Sequence, residues 1–83
     1  MDKILVEVRV PAADSKFDAL IPPLCKGGEV LKIVKEIFTT MFEGKFREVD
    51  DSILCNYSTG KIVDINQSMI EQGIKNGTIF ILI

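Results

Sequence analysis

A single segment of helical periodicity is the strongest constraint on how this chain can fold. Between the pair Gly27-Gly28 and Gly44, apolar residues recur at three- and four-residue steps, which is the spacing of one helix face: Val30, Ile33, Val34, Ile37 and Met41. Charged and polar residues occupy the opposite face. The pattern predicts one amphipathic helix over residues 28–43, and its one apolar stripe must be covered by the rest of the chain.

The residues before this helix have the alternation of β-strands. One face of residues 4–10 is apolar throughout: Ile4, Val6, Val8 and Val10. Pro11 ends this strand, and a second short apolar segment, residues 17–21, is closed by Pro22-Pro23. The two segments predict a β-hairpin.

The residues after the helix predict shorter elements. A charged connection over residues 45–51 leads into a short strand at 53–55, a turn at 58–61 and a brief strand at 61–65. Ser68 and Glu71 have the spacing of a capping box, and Gly73 follows as a stop, which predicts one helical turn. A tight turn at residues 76–77 then precedes a strand at 78–83 that is rich in β-branched residues.

The element order predicts an α+β fold with the arrangement ββαββ-short helix-β. With 83 residues, the chain can build only one core, and no repeat or linker divides it, so we expect a single domain over residues 1–83. One helix with one apolar stripe is best buried by wrapping one sheet around it. The sequence therefore predicts a β-grasp, with a mixed sheet of four to five strands on one main helix.

The second half of the chain carries a resemblance to known proteins. The strand at 53–55, the segment Gly60-Lys61-Ile62-Val63-Asp64 and the run from Met69 through Gly73-Ile74 and Asn76-Gly77 to Ile83 resemble the corresponding half of ubiquitin-like domains. The chain length and the string Glu-x-Gly-Ile-x-Asn-Gly are similar to the YukD-like (EsaB/YukD) small proteins of bacterial type VII secretion systems. That resemblance implies a cytoplasmic, non-catalytic component whose partners include a secretion ATPase or membrane proteins.

Composition argues against most other functions. The chain has no histidine or tryptophan, two cysteines and a net charge of −2, so it lacks the residues for histidine-based catalysis and the positive charge for binding nucleic acid. We expect no cofactor and no metal. We also expect no direct membrane insertion and, since the first residues do not have the pattern of a leader peptide, a cytoplasmic location.

Individual motifs also favour structural interpretations. Cys25 and Cys55 have no metal-ligand spacing and are expected to be reduced, and two thiols cannot hold an iron-sulfur cluster. The two Gly-Lys pairs lack the upstream glycine of a phosphate-binding loop and are expected to be turns. Unless the natural chain is longer than the sequence given, it has no Gly-Gly tail after Ile83, and we then expect no conjugation or sulfur transfer. We expect the acidic group at residues 48–51 to be solvated surface.

One face of the sheet is the predicted binding surface. If Ile53 and Cys55 point to the helix together with Ile79, Ile81 and Ile83, alternation sends their neighbours to the outer face. We therefore predict an apolar stripe on that face, edged by Glu7 and Arg9, with these residues binding a protein partner: Leu5, Arg9, Leu54, Phe80 and Leu82.

Two functional hypotheses follow from this surface. The first is a protein-interaction module that serves as an accessory or regulatory component of a type VII secretion system and docks through the outer sheet face. The alternative is a self-associating structural ubiquitin-like protein, in which the apolar face pairs with a second copy in a homodimer, or an adapter unrelated to secretion. A carrier role is disfavoured by the missing Gly-Gly, and RNA binding by the net acidity.

Overall fold

The first two strands form the predicted hairpin. The computed structural model describes residues 3–42 and 53–83. Strand β1 spans Ile4–Val10 and strand β2 spans Ser15–Ile21, two residues longer at its start than predicted. They pair antiparallel, and a short 3-10 helix over Pro11–Ala13 joins them. Asp14 completes the turn in the left-handed region at φ 47°, a conformation that a short aspartate side chain tolerates better than most.

Helix α1 spans Gly27–Phe42 and begins at the predicted glycine pair. Val30 and Val34 are fully buried, while Leu31, Ile33 and Ile37 are partly buried against the same core. The predicted stop at Gly44 and the predicted surface connection at 45–51, with Glu48, Asp50 and Asp51, lie outside the described residues.

Four strands form one mixed sheet in the described part of the chain. Strand β3 spans Leu54–Asn56, strand β4 spans Ile79–Leu82, and the order across the sheet is β2-β1-β4-β3. The central β1–β4 pair is parallel and the two outer pairs are antiparallel. The first, last and third strands are therefore neighbours, as a β-grasp requires.

The brief strand predicted at residues 61–65 is wrong. This segment makes only an isolated bridge, between Cys55 and Ile62, together with backbone bonds between Asn56 and Lys61 and between Val63 and Leu54. Beyond Val63 the backbone bonds elsewhere. The Asp64 amide donates to the Gln72 side chain at 2.8 Å, the Gln72 side-chain amide donates to the Asp64 carbonyl at 2.9 Å, and the Ile65 carbonyl accepts from the Gly28 amide at 3.1 Å.

The capping box at residues 68–71 is confirmed. The Glu71 amide donates to the Ser68 hydroxyl at 3.2 Å, and the Ser68 amide donates to the Glu71 carboxylate at 3.0 Å. The turn closes at Gly73, which has φ +73°, and the next amide, that of Ile74, donates back to Met69. This is a Schellman-type ending that places the buried Met69 and Ile74 side by side.

The predicted facing of the last strands is wrong. Leu54, Phe80 and Leu82 are 3%, 0% and 6% exposed, so they belong to the core and not to the outer face. The register explains this, because Phe80 pairs with the fully buried Val8 of the parallel neighbour, and Leu82 pairs with Leu54. Residues at one level of a sheet share a face, so β1 fixes the facing of both strands.

Candidate protein-binding face

The sheet surface opposite α1 is the candidate site, here called the outer face. It consists of the residues of β1, β2 and β4 that alternate with the core positions, together with two residues at the β3 side: Leu5, Glu7, Arg9, Lys16, Asp18, Leu20, Cys55, Tyr57, Ile79 and Ile81. Leu5 and Arg9 lie on it as predicted, whereas the other three predicted binding residues are buried beneath it. These three residues therefore cannot contact a partner through this face.

In the hairpin half of the outer face, the two residues of each cross-strand pair have the same chemical character. Leu5 lies opposite Leu20, Glu7 lies opposite Asp18, and Arg9 lies opposite Lys16. An apolar pair, an acidic pair and a basic pair therefore follow one another along the two strands. Like charges directly opposite each other repel, so both charged pairs weaken the hairpin slightly unless other partners compensate them.

Arg9 has two such partners. Its Nε donates to the Glu7 carboxylate at 2.7 Å, and its guanidinium carbon lies 5.0 Å from the centre of the Tyr57 ring, within the range of a cation–π contact. The hydrogen bond from Arg9 lowers the pKa of Glu7, and Lys16 adds a smaller attraction in the same direction. The same bond raises the pKa of Arg9. Arg9 is thus oriented by its neighbours before any partner arrives.

The apolar part of the outer face differs from the predicted stripe. Ile79 and Ile81 are half-buried beside Arg9 and Tyr57, and Leu5 is 47% exposed at the other end of β1. Sequence reasoning placed both isoleucines in the core. The pairing of β4 with β1 is the signal that could have placed them correctly. Each isoleucine lies beside a charged residue of β1, Glu7 or Arg9. Charged side chains do not face an apolar core, so the isoleucines beside them lie on the outer face as well.

A second exposed apolar area lies beside the first turn of α1. A recess of about 120 Å³ is lined by Gly27 and Leu31 of the helix and by Ile53, Ile62 and Ile65. The three isoleucines are among the large hydrophobic residues that the structure leaves exposed. Sequence reasoning missed this recess because residues 61–65 were expected to pair as a strand.

The cysteines and carboxylates of the described residues were compared with the requirements of a metal site and of a reactive thiol. Within residues 3–42 and 53–83, no three histidine, cysteine or carboxylate side chains come together in a metal-binding group, and neither cysteine is in a disulfide. Burial raises the pKa of the Cys25 thiol, and Glu29 nearby raises it further, so this sulfur stays protonated and is a poor nucleophile. No helix of that same part of the chain has the length and apolar character to span a membrane.

Comparison with known proteins identifies the fold. No family model and no curated protein matches the sequence. The structure matches a chain of the MycP5-free ESX-5 inner membrane complex with a TM-score of 0.82 at 12% identity, over 100% of this chain and 21% of that chain. It matches the EccD5 ubiquitin-like domain from Mycobacterium xenopi with a TM-score of 0.78 at 16% identity, over 100% of this chain and 94% of that one.

A third match is to the ubiquitin-like domain of EccD1, a type VII secretion system protein of Mycobacterium tuberculosis, with a TM-score of 0.74 at 13% identity and coverage of 100% and 99%. At these identities the likeness is one of fold. The chain spans about a fifth of the ESX-5 protein that it matches and nearly all of the two isolated domains. The protein therefore has the ubiquitin-like β-grasp fold, and its structural neighbours include ubiquitin-like domains of type VII secretion proteins.

Proposed function

We propose that this protein is a non-catalytic, cytoplasmic interaction module of a type VII secretion system, and that it docks onto a protein component of the secretion apparatus through its outer face. In this role it acts as an accessory or regulatory component, as the resemblance to the YukD-like proteins implies. The ubiquitin-like fold of the EccD neighbours supports the secretion part of the proposal.

The main support for docking through the outer face is the orientation of Arg9, which its neighbours fix beside exposed and half-buried apolar side chains. Arg9 is held by Glu7 and Tyr57, and its side chain is 40% exposed, so a guanidinium with five N–H donors can donate further hydrogen bonds to a partner. Ile79, Ile81 and Leu5 supply apolar area around it. Interfaces are strongest where an aromatic or arginine anchor is surrounded by apolar contacts that exclude water, and the outer face has both.

A binding measurement with the purified membrane complex of a type VII secretion system from the same organism tests this proposal. The affinity of the wild-type chain would be compared with that of the double variant Leu5→Asp/Arg9→Ala. Both side chains are accessible, so the fold should survive. We expect at least a tenfold rise in Kd, because losing one well-placed anchor costs about 1.4 kcal/mol or more.

Leu24→Asp is the matched control, since it makes the same leucine-to-aspartate change at a residue that is 65% exposed and lies outside the sheet. It should bind like the wild type. Equal affinity of wild type and double variant would remove the outer face from the proposal. A complex that does not bind the wild-type chain at all would remove the secretion apparatus as its partner.

A further inference from the structure

The outer edge of β2 is a strand edge without a neighbour in the described part of the chain. Strand β2 is at one end of the sheet, and across residues 3–42 and 53–83 it pairs only with β1. The opposite end is partly covered, because β3 bonds to residues 61–63. A seven-residue strand with one open edge presents backbone N–H and C=O groups that can pair with another strand.

The charges on β2 indicate what kind of strand would pair with its open edge. Lys16 and Asp18 are both exposed, they point to the same side of the sheet, and neither forms an ion pair within the described residues. Each instead faces a like charge across the hairpin, Arg9 and Glu7 respectively. The strand therefore carries one cation and one anion, two residues apart. Neither has an ion-pair partner within 4 Å among the described residues, and Lys16 has only a weak attraction to Glu7 on the neighbouring strand.

A second β2 strand, placed antiparallel by a two-fold axis perpendicular to the sheet, matches this pattern. When the axis passes beside Phe17, Lys16 of each copy lies opposite Asp18 of the other, which gives two equivalent pairs of opposite charge. Shifting the axis to Asp18 would place two aspartates opposite each other. The charges therefore favour one register and disfavour the next one that keeps the outer faces aligned.

We propose that a second copy of this chain pairs with β2 edge to edge, with Lys16 and Asp18 forming reciprocal ion pairs across the two-fold axis. The two sheets become one continuous sheet, and both outer faces point to the same side. The inference goes beyond the docking proposal because it uses the backbone edge of β2. Of the outer face it engages only the side chains of Lys16 and Asp18, and it leaves Leu5 and Arg9 open to a partner. A strand pair of this length buries less than the ~1,200 Å² of an ordinary stable interface, so the dimer should be weak.

Charge reversal tests the register, with sedimentation equilibrium as the readout over a concentration series. Lys16→Glu places two carboxylates opposite each other in the dimer, and Asp18→Lys places two ammonium groups opposite each other. Each variant alone should dimerise at least tenfold more weakly than the wild type. An equimolar mixture of the two should associate like the wild type, because both cross-copy pairs are then of opposite charge.

The same substitutions report separately on the fold. Within one copy, Lys16→Glu faces Arg9 and Asp18→Lys faces Glu7, so each replaces a like-charge pair by an opposite-charge pair. Thermal unfolding at dilute concentration should therefore show no loss of stability in either variant. Lys32→Glu makes the same charge change on the exposed side of α1 and should dimerise like the wild type.

Three outcomes would overturn the proposal. A wild-type chain that stays monomeric at about 1 mM does not pair with itself. Unchanged dimerisation of Lys16→Glu would place self-association elsewhere, for instance on the outer face. Failure of the mixture to associate would mean that β2 does not pair in this register, leaving its edge to an extended segment of another protein. None of these measurements involves a secretion component, so their failure is distinct from that of the docking proposal.

Discussion

Position 27 requires a glycine because residues 63–67 approach its backbone closely. Its amide donates to the Gln67 carbonyl at 2.9 Å, and a Cβ built at this position would overlap the Asp64 carbonyl and lie 2.8 Å from Val63 Cγ1. We expect Gly27→Ala to lower the free energy of unfolding by about 1–3 kcal/mol, since the obstruction is largely backbone. Urea denaturation measures this loss.

Gly28 is the natural control for that substitution. A Cβ there would meet Ile65 at ordinary contact distance, 3.4 Å from its carbonyl oxygen. Gly28→Ala should be neutral or stabilise the protein by up to about 1 kcal/mol, because alanine has the higher helix propensity. Equal losses in the two variants would show that helix entry, and not the contact with residues 63–64, sets the requirement for glycine.

Glu71 gives the fold a pH-dependent contribution to stability. The Ser68 amide, and then the Ser68 hydroxyl, hold the pKa of Glu71 below its usual value of 4.5, with Lys26 adding a smaller attraction. A carboxylate with a lowered pKa in the folded state stabilises the protein above the unfolded pKa and loses that effect as the pH falls through the folded pKa. The contribution is therefore present near pH 7 and fades below about pH 4.5.

Glu71→Gln removes this titration while keeping an acceptor at the same position. The difference in unfolding free energy between wild type and variant should be largest at about pH 7 and smaller at about pH 3, where a larger share of the glutamate is protonated. Urea titrations at the two pH values measure it. A difference that does not change with pH would mean that the charge of Glu71 adds nothing to its hydrogen bonds.

Strand β4 has two apolar faces, one that packs in the core and one that lies on the outer face of the sheet. Phe80 is fully buried, whereas Ile81 is half-buried on the outer face. We expect Phe80→Asp to prevent folding, since losing a core aromatic residue alone costs about 3–5 kcal/mol and a small domain has little more to lose. Ile81→Asp should fold with a modest loss. Circular dichroism melts distinguish them, and the reverse ranking would contradict the register with β1.

The contrast between β1 and β4 explains how much of the fold the sequence predicts. In β1, charged residues mark the outer face, so its bounds and facing could be predicted correctly. In β4, Ile79 and Ile81 alternate with Phe80 and Leu82, and both faces are apolar, so alternation gives no contrast and only pairing with β1 decides. Leu5 and Arg9 could be predicted as outer-face residues for the same reason, while Ile81 and Tyr57 could not.

Sequence patterns predicted an element correctly where the element depends only on residues close together in the sequence. The helix start at Gly27 and the capping box at Ser68 depend on residues within a few positions, and both could be identified from spacing alone. The segment at 61–65 could not, because beyond Val63 its backbone bonds to groups distant in the sequence, the side chain of Gln72 and the start of α1. Its isoleucines, Ile62 and Ile65, are left exposed and line the recess beside α1.

In the molecule as a whole, the buried apolar residues of ranges 3–42 and 53–83 belong to one cluster, and β1 lies at its centre. Strand β1 is bonded on both sides, by β2 and β4, and four of its side chains are buried, whereas β3 is short and lies at the sheet edge. Opening β1 must disrupt the whole core, while β3 can separate locally.

Amide hydrogen exchange by NMR spectroscopy should therefore find the slowest exchange in β1, at rates set by global unfolding, and faster exchange in β3 and at Val63. Gly27→Ala should speed exchange in β1 by the factor that its unfolding free energy predicts, because one core supports both halves of the chain. Exchange in β3 as slow as in β1 would contradict this order and show that the sheet opens only as a unit. Exchange in β1 that is unaffected by Gly27→Ala would show that the contact of α1 with residues 63–67 is not coupled to the sheet.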